Sequence, residues 1–297
     1  MCGIVGLLLK KSELRSDLGQ MMVPMLVGMT ERGPDSAGMA VYGAPAADGS
    51  LKFSLYSGAG RFDWAALEAA ARQVLAGVAL EAIANHAVLE TSEPVARVKA
   101  WLRSSFPELS LLAVGRAIDL YKDVGAPAEI AARYDFARLS GTHLVGHTRM
   151  ATESAVTPAH AHPFTAGEDF CLVHNGSLSN PGSVRRRLQL QGIPFDTDND
   201  TEAACRFIEY RMREGDDLQA ALRHGFDELD GFYTFLMGTR DELAIVRDAF
   251  SCKPAIVAET DDYVAISSEF RSLARLPGIR HASLFEPKPE EIYVWRA

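Results

Sequence analysis

The chain opens with MCGIVGLLLK (residues 1–10). The run from Cys2 to Leu9 is apolar but far shorter than the roughly 18 or more residues a membrane span needs. It reads as a short buried strand with a cysteine at its head. No basic region precedes it and no small-residue cleavage site follows, so a signal peptide is not expected and the cytoplasm is the expected compartment. Removal of Met1 would leave residue 2 with both a thiol and a free α-amine. In model peptides an α-amine titrates near about 7.7–8.0 and a thiol near about 8.5, so the amine can take the thiol proton around neutral pH. One residue then supplies nucleophile and base together. The plainer reading is a small hydrophobe opening a strand.

Working outward, the 297 residues allow roughly two domains or one large one. With 47% hydrophobic and 23% charged residues the composition is that of a folded globular chain. The net charge of −9 argues against a broad basic face for nucleic acid. Cys2, Cys171, Cys205 and Cys252 form neither a C-x-x-C pair nor a zinc spacing. A reducing compartment is expected, with no disulfide framework and no cluster or structural zinc held by this chain.

Asp17–Glu31 has helical apolar spacing, with Pro24 expected to kink or interrupt it. Met39–Tyr42 and Leu51–Tyr56 read as strands around a small-residue loop. Residues 60–140 differ in character and read as an insertion. Its expected parts are a helix at Asp63–Ala76, an apolar strand at Ala79–Leu89, a helix at Pro94–Phe106, a second strand at Leu109–Tyr121 and a short helix near Ala128–Arg133. Strand, helix and strand there suggest a βαβ-like unit. Afterwards Thr142–His147 and Phe170–His174 read as strands, and Asn180–Gln191, Asp200–Arg213 and Asp217–Leu229 as helices. Short strands fill the end (Phe232–Gly238, Leu243–Asp248, Ala255–Glu259, Tyr263–Ser267, Ile292–Trp295). The sum is an α+β layered domain rich in antiparallel sheet.

Four further motifs stand beside Cys2. RGPDSAG (32–38) follows a helix and reads as a turn into a strand. GHTRMAT (146–152) ends a strand with Arg149, whose planar fork suits a carboxylate. HNG (174–176) follows an apolar strand; it is either a tight turn or a pair of oxyanion donors, the Asn175 amide and the Gly176 N–H. DNDTE (198–202) opens a helix, where a short acidic or Asn residue caps, and where Asp200 could face a substrate ammonium. His160 and His162 are too thin a pattern for a metal, and no metal site is expected. No glycine pattern marks a nucleotide site.

These five motifs, in this order from an N-terminal cysteine, closely resemble the class II glutamine amidotransferase family. The resemblance covers Cys2 to about Glu269. It implies the four-layer αββα N-terminal-nucleophile hydrolase fold, spanning 2–297 with the 60–140 insertion inside it. It implies that Cys2 attacks the side-chain amide of L-glutamine, that Asn175 and Gly176 hold the oxyanion, that Arg149 binds the α-carboxylate and that Asp200 binds the α-ammonium. Thr152 and the backbone near Arg32 and Gly33 would line the pocket. Family members usually carry a second domain that uses the ammonia, and none is expected here. The chain is similar to the separate amidotransferase subunit of glutamate synthase-like and N-methylglutamate synthase systems. That likeness implies a synthase-like partner subunit, with flavin and iron–sulfur centres on partner chains and no cofactor in this one. The alternatives are a stand-alone amidohydrolase acting on another amide and a non-catalytic regulatory subunit. Neither nucleic acid nor membrane is an expected partner.

Overall fold

Strand β1 (Gly3–Leu9) has no polar face because both of its faces are covered. Ile4 and Leu8 point into one hydrophobic core, and Val5, Leu7 and Leu9 into another. The structure, a computed structural model, describes residues 2–58, 60–150 and 157–297. After β1 come α1 (Leu18–Val27), β2 (Ser36–Tyr42), β3 (Leu51–Ser57), α2 (Trp64–Val74), β4 (Ala79–Ile83) and β5 (His86–Thr91). The chain continues through α3 (Val95–Ser105), β6 (Leu109–Gly115), β7 (Ile118–Val124), α4 (Pro127–Arg133) and β8 (His143–Arg149). Then follow β9 (Phe164–Thr165), β10 (Cys171–Leu178), α5 (Pro181–Leu190), α6 (Asp200–Arg213) and α7 (Leu218–Glu228). The last third holds β11 (Gly231–Gly238), β12 (Glu242–Arg247), β13 (Ile256–Glu259) and β14 (Tyr263–Ser267). It closes with α8 (Phe270–Leu273), β15 (Ser283–Phe285) and β16 (Ile292–Arg296).

Two antiparallel sheets face one another, ordered β15-β13-β14-β1-β8-β2-β7 and β16-β12-β11-β10-β9. Between them lie Ile4, Val145, Val173, Leu236, Ile245 and Ile266, all fully buried. The outer face of the first sheet carries α1, whose Met22, Met25 and Leu26 join Val5, Leu7 and Leu144. The outer face of the second carries α5, α6 and α7 through Val184, Leu188, Ala204, Ile208 and Leu222. The result is the expected helix–sheet–sheet–helix stack. Helix α1 runs on through Pro24 as one element, Leu18–Val27, so the expected interruption does not occur.

The segment 60–140 is divided differently from the sequence reading. A third antiparallel sheet, β4-β5-β3-β6, takes in β3 and ends at Gly115. Strand β7 and helix α4 return to the first sheet and its outer core. The apolar run 79–89 is two strands with a turn at Ala84, and 109–121 is two strands in different sheets. Each break carries only a single turn residue, Asn85 in the first and Gly115 in the second. The module's βαββαβ order and its 4-1-3-2 strand arrangement make it a ferredoxin-like split βαβ unit with its own core of Phe53, Leu55, Leu89, Val98 and Leu102. It hangs from a hairpin: Tyr42 pairs with Ile118 at the end of β2–β7, and Lys52 pairs with Gly115 where the module begins and ends. Asp169 clamps this crossing. Its carboxylate accepts from the N–H groups of Arg116 at 2.8 Å, Ala117 at 2.8 Å and Ile118 at 3.0 Å.

Candidate active site

Cys2 is half-buried at the head of β1. Its neighbour Gly3 pairs with Thr148, and Ser36 pairs with Arg149, so the heads of β1 and β2 meet the end of β8. The turn that follows α1 is laid against this point. A Cβ on Gly33 would lie 2.4 Å from the Thr148 carbonyl carbon and 2.5 Å from Arg149 N, which only glycine avoids. Asp35 N donates to Arg149 O at 3.0 Å. Arg32 donates from Nε to the Cys2 carbonyl at 3.0 Å and pairs with Glu269 at 3.3 Å. The guanidinium of Arg32 therefore braces the cysteine backbone. Ser268 adds a second brace, its hydroxyl accepting from Ile4 N at 3.0 Å. Arg149 itself is buried.

The other half of the site comes from the facing sheet. Asn175 on β10 is buried, and its side-chain Nδ2 has no acceptor among the described residues. Gly176 has φ of +149°, and a Cβ there would meet Phe232 O at 2.1 Å. The two sheets are joined at this end by His147, whose Nε2 donates to the His174 carbonyl at 3.1 Å. That bond holds the peptide linking His174 to Asn175. Asp200 opens α6, and its Oδ2 accepts from Leu178 N at 2.9 Å. The approach to α6 is pinned by Glu202, which accepts from Asp196 N at 2.8 Å and Thr197 N at 2.7 Å and pairs with Arg206.

Behind Asn175 sits a histidine cluster that the sequence reading did not find. His147 and His162 stack with ring centroids 4.0 Å apart. Thr201 Oγ1 lies 2.9 Å from His162 Nε2 and 3.1 Å from His174 Nδ1, with Asp200 Oδ1 at 3.4 Å, so one hydroxyl ties both rings to the head of α6. Burial lowers the pKa of His147 to about 3 and those of His162 and His174 below the usual histidine range. Neutral rings are the cheap state for groups removed from water. The signal was available only as His147 and His174 inside two of the motifs and His162 in the loop between them. His160 turns instead to Asp198 at 3.0 Å, and among the described residues no group of three or more His, Cys, Asp or Glu could hold a metal ion. Thr152 lies outside the described residues.

One end of the sandwich thus gathers a thiol, a buried arginine and a backbone cradle on the first sheet. The second supplies an uncommitted amide donor, a glycine N–H and a carboxylate. An arginine and an aspartate suit the two charges of an α-amino acid, and the amide and N–H suit a developing oxyanion. Comparison with known proteins bears on the family. A glutamine amidotransferase domain family matches residues 147–275. The glutamine amidotransferase-like protein GlxB of Rhizobium meliloti (strain 1021) is 48% identical over 99% of this chain and 98% of its own length. An amidophosphoribosyltransferase of Methanocaldococcus jannaschii is 27% identical over 54% of this chain and 35% of its own. The solved glutamine phosphoribosylpyrophosphate amidotransferase from B. subtilis superposes with TM-score 0.64 at 18% identity. That match covers 99% of this chain but 47% of that one, so the chain spans less than half of the solved enzyme. Whole-length identity and a shared stack of layers lead to one assignment: the chain belongs to the class II glutamine amidotransferase family, built on the N-terminal-nucleophile hydrolase fold.

Proposed function

We propose that the chain hydrolyses L-glutamine through a Cys2 thioester and hands the ammonia to a synthase-like partner subunit. The observation that carries this is the buried, uncommitted Asn175 amide on the sheet facing the Cys2 end of β1. With Met1 removed, the neutral α-amine of Cys2 takes the thiol proton, and the thiolate attacks the glutamine side-chain carbonyl carbon. The oxyanion is held by Asn175 Nδ2 and Gly176 N. As it collapses, the C–N bond breaks, the ammonium of Cys2 returns its proton to the leaving nitrogen, and ammonia departs. Water, deprotonated by the same amine, opens the thioester and releases glutamate. Arg149 takes the α-carboxylate and Asp200 the α-ammonium, with Thr152 and the Arg32–Gly33 turn lining the pocket. Flavin and iron–sulfur chemistry would reside on the partner. Support for the reading comes from the family and from the site's residue types.

The test is a glutaminase assay with and without candidate partner chains, alongside intact mass. Active protein should lack Met1, and Cys2→Ala should abolish turnover while Cys252→Ala leaves it unchanged. Activity should rise on complex formation. Turnover by Cys2→Ala would refute the mechanism. High activity in a chain that binds no partner would leave a free-standing amidohydrolase.

A further inference from the structure

A cleft of about 630 Å³ lies between the inserted ferredoxin-like module and the catalytic sandwich. None of its lining residues is Cys2, Arg32, Arg149, Asn175, Gly176 or Asp200; it shares with the site above only Asp196, Thr197, Glu202 and Arg206, which pin the approach to α6. One wall is α3 with β6, the edge strand of the module; the other is the stretch around Phe164 and the approach to α6. Four cations line it: Lys99, Arg103, Lys122 and Arg206. Two are committed to the fold. Buried Lys122 donates to the Ala161 carbonyl at 2.8 Å and the Pro163 carbonyl at 3.3 Å. Arg206 spends its guanidinium on Glu202 at 2.7 Å and Asp196 at 2.6 Å, which are the carboxylates of the cleft.

Lys99 and Arg103 are left. They are exposed, one helical turn apart on α3, and among the described residues neither makes a hydrogen bond or ion pair. Glu209 is attracted to Lys99 only at longer range. Like charges at i and i+4 repel. Around them Leu102, Leu109, Leu111 and Phe164 give the cleft one apolar face, set beside the hydroxyls of Ser110, Thr157, Thr165 and Thr197. Its volume falls within the range of small-molecule sites.

We propose that this cleft binds a small organic anion, an apolar body bearing one acidic group that bridges Lys99 and Arg103. The site owes nothing to the glutaminase reading and stands or falls separately from it. Titration of the full chain with 8-anilinonaphthalene-1-sulfonate tests it, with N-phenyl-1-naphthylamine as the uncharged counterpart. The expected result is one saturable sulfonate site, weakened roughly tenfold in Lys99→Ser/Arg103→Ser and bound roughly tenfold more tightly than the neutral dye. Ser110→Trp, which fills the cleft and leaves both charges, should remove the site. Thermal unfolding and glutamine turnover should match wild type in the double variant, since neither residue touches the catalytic machinery. Equal sulfonate binding by wild type and the double variant, or equal affinity for the two dyes, would overturn the proposal.

Discussion

Thr201 serves two buried rings with a single hydroxyl, and one of them belongs to the residue before Asn175. Thr201→Val keeps the shape and removes both bonds, leaving two buried ring nitrogens without partners at a cost of roughly 1–3 kcal/mol each. If His174 positions Asn175, kcat for glutamine should fall while KM stays close to wild type, and Thr201→Ser should restore both. Asn175→Ala sets the scale, with kcat down by roughly 10²–10³-fold, the usual loss for one oxyanion donor. Steady-state kinetics on the three variants decides it; a Thr201→Val enzyme that loses only thermal stability would make the cluster purely structural. At this scale the sequence was readable wherever a motif is local, as with Cys2, the GHTRMAT run and HNG. It was silent on Thr201, Glu269 and Ser268, because their partners are 27 to 264 positions away in the chain. Such bonds are set by how two sheets and a helix meet.

Among the elements, the central strands could be read as short apolar runs, because both of their faces are buried, and the helices α5 to α7 from their periodicity, because each buries a single face. The module could not, since Asn85 at its hairpin turn and Gly115 before the crossing at Arg116–Ala117 are single turn residues set inside longer apolar runs. What makes the crossing at Arg116–Ala117 is Asp169, distant in sequence and held at φ of +54°. A Cβ on Gly115 would lie 2.2 Å from its carboxylate, so the strand must end there. Asp169→Ala strands three N–H groups, two of them buried, and should cost at least about 3 kcal/mol. Thermal unfolding should then shift down by roughly 6–10 °C, with KM for glutamine unchanged. An unaltered melting temperature would mean that water replaces the carboxylate.

For the molecule as a whole, buried histidines set the acid limit. His86 and His143 are lowered to about 4 and His147 to about 3, with His162 and His174 lowered as well, all chiefly by burial. Unfolded histidine titrates near about 6.5, so as the pH falls below this the unfolded chain takes up protons that the folded chain refuses. Their stabilisation is complete above about pH 6.5 and is lost progressively toward pH 3–4. Asp119, raised to about 6 by burial, and Glu209, raised for the same reason, work in the opposite sense but are two groups against five. Melting temperature should therefore fall steeply between about pH 6.5 and 4.5. A flat profile there would show that the rings are charged or solvated in the fold. The hairpin that carries the inserted module has a consequence for the order of assembly. Pairing Tyr42 with Ile118 in a disordered chain means closing a loop of roughly 75 residues. Once the module has folded, Lys52 and Gly115 already stand side by side, and only about ten residues remain slack. The entropy saved is about 2 kcal/mol on the logarithmic law for loops. Pulse-labelled hydrogen exchange should accordingly find amides of β3, β5 and β6 protected before those of β2 and β7, so that the inserted unit is the splint on which the edge of the catalytic sheet is set.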